Sequence, residues 1–128
     1  MLQVPKAATK EGTNISTEER HRRMKESDIY LPAIRWLCGQ PKTKAWIHWN
    51  NAIYLPKPGI WKRKKGHEDG IPDILGVKNG RPFAFEVKRP GNKPTQAQIN
   101  WMQRFTECGG IAYVVNTLED IECAWSEI

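Results

Sequence analysis

The sequence predicts an α/β fold, a small mixed β-sheet flanked by helices in the order α-β-β-β-α-β-α. An Asn-Gly pair separates two short apolar runs at 71–78 and 82–88. This is a strong hairpin signal, because a type I′ turn needs a positive φ at both central residues. Apolar residues also recur at helical spacing before this hairpin and over 95–108, and an apolar strand-like run at 111–115 follows.

The length and charge of the chain indicate one domain with an anionic partner. Its 128 residues suffice for a single core, and the formal net charge is +6. Charge alone leaves nucleic acid and an anionic membrane open. We expect residues 1–15 to form a flexible tail and 16–128 to form one domain. The chain has neither an apolar run of bilayer length nor a signal-peptide core, so we expect a cytoplasmic protein without a membrane partner.

The first helix has two possible starts. Ser16–Glu19 resembles a capping box, and apolar residues follow at helical spacing. Pro32 interrupts that pattern. Either the helix bends at Pro32, or a new helix begins near Ser27 with Pro32 close to its first turn. The apolar positions are Ile29, Ala33, Ile34 and Leu37.

The remaining elements follow from local signals. Residues 45–49 have the aromatic and β-branched content of a strand, and 50–70, with two prolines and three glycines, predicts a long loop. Thr95 and Gln98 form a capping-box pattern at the start of the helix over 95–108, which ends at Gly109. Residues 117–125 predict a short closing helix.

Two acidic residues interrupt the strands of the predicted hairpin. With Asn79-Gly80 at the tip, Asp73 faces Glu86, and opposed Cβ atoms lie only about 4.5–5.5 Å apart. Lys88 projects from the same face as Glu86. A divalent cation such as Mg²⁺ would relieve the repulsion between the carboxylates and activate a water to attack a phosphodiester. The alternative is a solvated hairpin in which Lys88 pairs with Glu86.

Basic residues close to these acids favour a phosphate-rich partner. Four consecutive cations precede the hairpin, and each phosphate contact would make affinity salt-dependent; a solvated charge run is the alternative. Trp61 either stacks on an unpaired base or packs as a loop anchor. His48 and His67 are lone histidines, which are more often structural or exposed than catalytic. The cations are Lys62, Arg63, Lys64 and Lys65.

These residues together resemble the VRR-NUC (virus-type replication-repair nuclease) family. Pro72-Asp73 with the later Glu86–Lys88 resembles the PD-(D/E)XK nuclease signature, which by itself is short and degenerate. The surrounding residues are more specific: Gly70–Asp73 is similar to the family's G-(V/I)-P-D. Thr95–Gln98 with Trp101 is similar to its glutamine-bearing helix, and Gly109-Gly110 with IAYVV to the strand that follows it. The resemblance covers roughly residues 24–125.

The resemblance implies a restriction-endonuclease-like fold and a role for each matched residue. Asp73, Glu86 and the backbone carbonyl of Val87 would bind Mg²⁺ or Mn²⁺, and Lys88 would be the catalytic lysine. Gln98 would lie near the site, or serve only as the capping partner of Thr95. A first-helix acid would help to bind a metal or its water; Glu26 is our prediction, with Glu18 or Glu19 as alternatives. We expect Arg89 and Lys93 to contact phosphate or to be plain surface charges, and Asn51 to contact the substrate or to cap the end of the preceding strand.

The resemblance also implies a reaction and a substrate class. We expect a metal-dependent DNA endonuclease, selective for branched or Holliday-junction-like DNA in replication and repair. Stand-alone viral and bacterial members of this kind tend to be homodimers, so we expect a homodimer without a small-molecule cofactor, from a virus or a mobile element. Two alternatives remain: a DNA-binding module that keeps the fold but performs no chemistry, and a restriction-type nuclease that reads one sequence.

Overall fold

The computed structural model describes residues 25–49 and 68–128, together with the backbone of three short strands at 2–3, 52–54 and 61–63. Three α-helices are present in this part of the chain: α1 Tyr30–Cys38, α2 Gln96–Glu107 and α3 Leu118–Glu127. The strands are β1 Leu2–Gln3, β2 Thr43–Ile47, β3 Ala52–Tyr54, β4 Trp61–Arg63, β5 Ile74–Lys78, β6 Arg81–Val87 and β7 Ile111–Val115.

Five strands form one mixed sheet in the order β1-β7-β6-β5-β2. The pairs β2–β5 and β5–β6 are antiparallel, whereas β6–β7 and β1–β7 are parallel. The parallel β6–β7 pair needs a crossover, which α2 supplies. The predicted mixed α/β sheet is therefore confirmed.

The Asn-Gly turn sets the register of the central hairpin as predicted. Asn79 has φ +48° and Gly80 has φ +84°, the positive values that a two-residue type I′ turn requires. Lys78 then pairs with Arg81, and the ladder continues to Ile74 opposite Phe85. Continued by one residue, this register places Asp73, just before β5, opposite Glu86 in β6.

The first helix begins at the second of the two predicted starts. A 3₁₀ turn at Glu26–Ile29 leads directly into α1, and Pro32 is the third residue of that helix. A proline is tolerated there because amides of the first helical turn lack partners within the helix. The capping pattern at Ser16–Glu19 lies outside the described residues.

Three short strands lie in segments that the sequence predicts as a loop or a tail. The long loop over 50–70 is wrong in part, because β3 and β4 pair in antiparallel fashion as a separate hairpin. Both strands hold β-branched or aromatic residues, and the prolines fall between them in sequence. At the N-terminus, β1 pairs with β7, so residues 2–3 join the sheet edge. The rest of the expected tail lies outside the described residues.

The sheet has an apolar layer on each face. The larger layer packs β5, β6 and β7 against α1 and α3 and includes Leu37, Phe83, Phe85, Tyr113 and Ile121. The smaller layer lies under α2 and, among the residues that the structure describes, has three fully buried members, Ala84, Met102 and Ala112. Because side chains alternate along β6, Glu86 projects towards the smaller layer, on the face covered by α2.

Two further observations concern the cysteines and the lengths of the helices. The three cysteines, Cys38, Cys108 and Cys123, are free thiols and are exposed. In the described part of the chain, no helix is both long and apolar enough to cross a bilayer.

Candidate active site

A glycine brings the segment before β5 against the start of α2. Gly70 has φ +80°, and a Cβ atom at this position would lie 2.3 Å from the backbone oxygen of Ala97. Only glycine permits both this conformation and this close approach. Pro72 is buried next to it, and the chain then delivers Asp73 to the end of the sheet.

Asp73 is held by groups from three different elements. Its Oδ2 accepts a hydrogen bond from the backbone amide of Val87 at 2.9 Å, and its Oδ1 accepts one from the Tyr30 hydroxyl at 2.7 Å. Its backbone carbonyl accepts the amide of His48 at 2.8 Å. The direction of the carboxylate is therefore fixed by β6 and α1 together.

Glu86 is buried beside Asp73 and only partly satisfied. Its side chain is 2% exposed; Oε1 accepts a hydrogen bond from Gln98 Nε2 at 2.8 Å and lies 3.3 Å from Lys88 Nζ. The other oxygen, Oε2, is buried without a hydrogen-bond partner among the described residues. An unsatisfied buried carboxylate oxygen is costly, so this atom calls for a cation or a water.

Burial and the negative charge of Asp73 both favour the protonated form of Glu86. Desolvation, followed by the negative charge of Asp73, raises the pKa of Glu86 to about 8, although Lys88 acts in the opposite direction. Burial also raises the pKa of Tyr30, and the hydrogen bond to Asp73 adds to that rise. Tyr30 therefore stays a neutral donor to the Asp73 carboxylate at physiological pH.

Gln98 serves both of the roles that the sequence left open. Its Oε1 accepts the backbone amide of Thr95 at 2.8 Å, which completes the capping box of α2. Its Nε2 donates to Glu86 at 2.8 Å. The two ends of one amide thus tie the first turn of α2 to the buried carboxylate.

The backbone of Lys88 is fixed by residues that the sequence analysis did not single out. Its amide donates to the carbonyl of Val115, and its carbonyl accepts Asn116 Nδ2 at 2.7 Å. The backbone amide of Asn116 in turn donates to Asp120 Oδ2 at 2.9 Å. Nothing in the local pattern marks Asn116, because it reaches Lys88 only through the pairing of β6 with β7.

The predicted residues fall into two neighbouring groups. Asp73, Glu86, Lys88 and Gln98 come together. Glu26 lies beside them, where its Oε1 accepts the Arg89 amide at 3.3 Å, and both residues line a cavity of about 410 Å³ that includes Tyr30. Within the described residues, no group of three or more His, Cys, Asp or Glu side chains is placed to hold a metal, so Glu26 does not join Asp73 and Glu86 in such a group.

The predicted phosphate contacts are only partly described. Lys93 is exposed, as is Arg89. Lys62 and Arg63 belong to β4, where the structure describes the backbone alone. Lys64, Lys65 and Asn51 lie outside the described residues, as do Glu18 and Glu19. Their contacts with DNA stay predictions.

A cleft of about 530 Å³ opens beside Asp73 and Gln98. Trp49 lines it with 64% of its surface exposed, and its ring meets Tyr30 edge-on, with 6.4 Å between the ring centroids. His48, which the sequence analysis set aside, also lines this cleft. The amide of His48 donates to the Asp73 carbonyl, an extension of the β2–β5 ladder that the sequence did not reveal.

The donor set suits a hard divalent cation. Mg²⁺ usually takes one or two protein carboxylates and completes its shell with waters and substrate phosphate. Asp73 and Glu86 supply two carboxylates, and the buried Oε2 of Glu86 lacks a partner among the described residues. The residues present therefore fit such an ion.

Comparison with known families agrees with this geometry. A family model described as the VRR-NUC domain matches residues 40–118. The chain belongs to the VRR-NUC family. The match spans Asp73, Glu86, Lys88 and Gln98, whereas Glu26 lies outside it.

Membership confirms the fold predicted from the sequence. VRR-NUC domains have the PD-(D/E)XK nuclease fold, which indicates a nuclease with DNA as its substrate, and nucleases of this fold generally use divalent metals. The chain matches none of the curated proteins with which it was compared.

Proposed function

We propose that this VRR-NUC protein is a DNA endonuclease that depends on Mg²⁺ or Mn²⁺ and hydrolyses phosphodiester bonds. One observation carries the proposal: Asp73 and Glu86 converge at the end of the sheet, with Lys88 Nζ 3.3 Å from Glu86 and with Glu86 Oε2 lacking a partner among the described residues. A binding module would gain nothing from carboxylates that repel phosphate. Asp73, Glu86 and the Val87 carbonyl are the groups that would hold the ion.

Each residue of the site has a distinct part in the reaction. When bound, a divalent ion polarises the scissile phosphodiester and lowers the pKa of water. Asp73 and Glu86 supply the negative charge that holds such an ion. The Lys88 ammonium offsets charge that develops on the phosphate in the transition state, or orients the attacking water.

The surrounding hydrogen bonds preorganise these groups. Tyr30 and the Val87 amide hold the Asp73 carboxylate, and Gln98 holds Glu86. Asn116 fixes the backbone from which Lys88 projects. Such fixed geometry matters because misplacement by about 1 Å can cost about a hundredfold in rate.

The experiment is a cleavage assay on plasmid and branched DNA with Mg²⁺, Mn²⁺ or EDTA. We expect cleavage only with a divalent metal, and losses of about a hundredfold or more in Asp73→Ala and Lys88→Ala. Glu107→Gln is the matched control, since the Glu107 carboxylate is exposed near the other end of α2. Cleavage that survives both site substitutions would refute the proposal.

The same assay separates the two rival functions. Tight DNA binding with no turnover in any divalent metal would identify a non-catalytic module. A fixed fragment pattern on long duplex DNA would identify a nuclease that reads one sequence. Faster cleavage of branched DNA than of a linear duplex of the same sequence is the outcome that we expect.

We also propose that the protein is a homodimer, since the resemblance to stand-alone junction-cleaving members implies one. A two-fold arrangement would present two sites to two strands of a junction. Light scattering after size-exclusion chromatography tests the assembly. A monomer at the concentrations that support cleavage would refute it.

A further inference from the structure

Trp49 lies beside the carboxylate site with most of its ring in water. Its exposed fraction of 64% contrasts with Trp36, Trp101 and Trp125, which pack against the apolar layers. A tryptophan is a large apolar surface that a fold normally covers. Trp49 is nevertheless oriented, because its ring meets Tyr30 at an interplanar angle of 70°.

Tyr30 links the position of this ring to the reacting centre. The Tyr30 hydroxyl donates to Asp73 Oδ1 at 2.7 Å, and its ring contacts Trp49. A group that stacks on Trp49 therefore sits next to the phosphate that Asp73 would act upon. Trp49 is thus well placed to contact the nucleotide at the cleavage position or its neighbour.

Away from Asp73, the chemistry of the cleft favours a neutral planar group over a phosphate. None of the described residues that line it is a lysine or an arginine, whereas Glu68 contributes a carboxylate. Anionic oxygens repel phosphate and accept hydrogen bonds from amino groups. The volume of about 530 Å³ falls within the range of about 300–1,000 Å³ that is typical for small organic ligands.

We propose that this cleft binds an unpaired nucleobase of the substrate strand, with Trp49 as the stacking platform. This inference rests on the proposed nuclease function and names the substrate feature that it reads. A base inside a duplex is already stacked on both faces, so it must be unpaired to reach the ring. Base–aromatic stacking tolerates any sequence, because every base has a π-face.

The chain supplies a matched control in Trp46. This residue is also exposed, at 46%, and lies three positions earlier in β2, but it does not line the cleft. A general effect of removing a surface tryptophan would therefore appear in Trp46→Ala as well. Trp49→Phe keeps an aromatic face and is the conservative variant.

The kinetic test uses two duplexes that differ only in one unpaired nucleotide at the cleavage site. We expect wild type to prefer the unpaired substrate in kcat/KM, and Trp49→Ala to lower that ratio by about 5- to 150-fold. Trp49→Phe should restore most of the ratio, and Trp46→Ala should retain it. A ratio unchanged in Trp49→Ala, or lowered equally in Trp46→Ala, would overturn the inference.

A binding measurement separates this inference from the nuclease proposal. The probe is the same duplex with 2-aminopurine as the unpaired base, added with Mg²⁺ to the Lys88→Ala protein. Stacking on Trp49 should quench its fluorescence, and the added Trp49→Ala substitution should abolish that quenching. Quenching without cleavage by wild type would refute the nuclease proposal alone. Cleavage by wild type without Trp49-dependent quenching would refute the stacking platform alone.

Discussion

Glu86→Gln keeps the shape of a buried side chain and removes its ability to carry a negative charge. The pKa of Glu86 in the folded protein is about 8, against 4.5 for an unperturbed glutamate. Between these values the folded protein binds one more proton than the unfolded chain. The free energy of unfolding therefore falls as the pH rises, by about 1.4 kcal/mol per pH unit.

The stabilising contribution of protonated Glu86 is fully present below about pH 4.5 and is lost as the pH rises through about 8. From about pH 5.5 to about pH 8.5, the fall that Glu86 causes is about 3 kcal/mol. We expect wild type to show this loss in EDTA and Glu86→Gln to lack it. The glutamine variant should therefore be the more stable protein at the higher pH while it cleaves no DNA.

Urea unfolding at the two pH values measures this difference directly. The comparison between wild type and Glu86→Gln cancels the titration of histidines, which both proteins share. Glu107→Gln serves as the control because it removes an exposed glutamate, and it should track wild type. Added Mg²⁺ should restore the stability of wild type at about pH 8.5 and leave Glu86→Gln unchanged, since only a folded metal site gains from the ion.

Two results would refute this reasoning. If wild type and Glu86→Gln lose stability in parallel between the two pH values, Glu86 is not a buried acid held protonated by its surroundings. If Glu86→Gln is the less stable protein at about pH 8.5 in EDTA, the charged carboxylate stabilises the fold instead of opposing it.

Three further substitutions test the supports of the site. Tyr30→Phe removes the 2.7 Å hydrogen bond to Asp73 and should lower the free energy of unfolding by about 1–3 kcal/mol in urea titrations. An unchanged midpoint of urea unfolding would contradict a role for that bond in stability. Asn116→Ala removes the donor to the Lys88 carbonyl and should lower kcat about tenfold at nearly constant KM, whereas a change in KM alone would assign it to binding. Gly70→Ala places a Cβ atom against the backbone of Ala97 and puts an alanine in a left-handed conformation, so it should lower the melting temperature markedly. The melting temperature is measured by circular dichroism, and a wild-type melting curve would disprove the close packing.

The central hairpin was predictable because its determinants are local. Asn79-Gly80 admits few turn geometries, and side-chain alternation then fixes which residues oppose one another. Asp73, Glu86 and Lys88 could thus be placed together from the sequence alone. Gln98 was found by its spacing from Thr95, although only the structure shows that its amide also reaches Glu86.

The rest of the site depends on packing between distant segments. Tyr30 reaches Asp73 only because α1 packs on the end of the sheet, and Asn116 reaches Lys88 only through the parallel β6–β7 pair. Trp49 lies just after β2, an edge strand of the sheet. No periodic pattern of apolar residues continues there, so the sequence does not show that this aromatic side chain is exposed. The strands β1 and β3 are two and three residues long, too short for alternation to be recognised.

The unequal number of buried residues in the two apolar layers has a consequence for local unfolding of the protein. Among the described residues, the layer under α2 contains three buried residues, whereas the opposite layer contains twelve. Local opening follows apolar burial, so α2 should detach transiently while α1, α3 and the sheet stay folded. Amide protons of α2 should exchange with deuterium ahead of those in β6 and β7. Each such opening would separate Gln98 from Glu86 and expose the buried Oε2 without global unfolding.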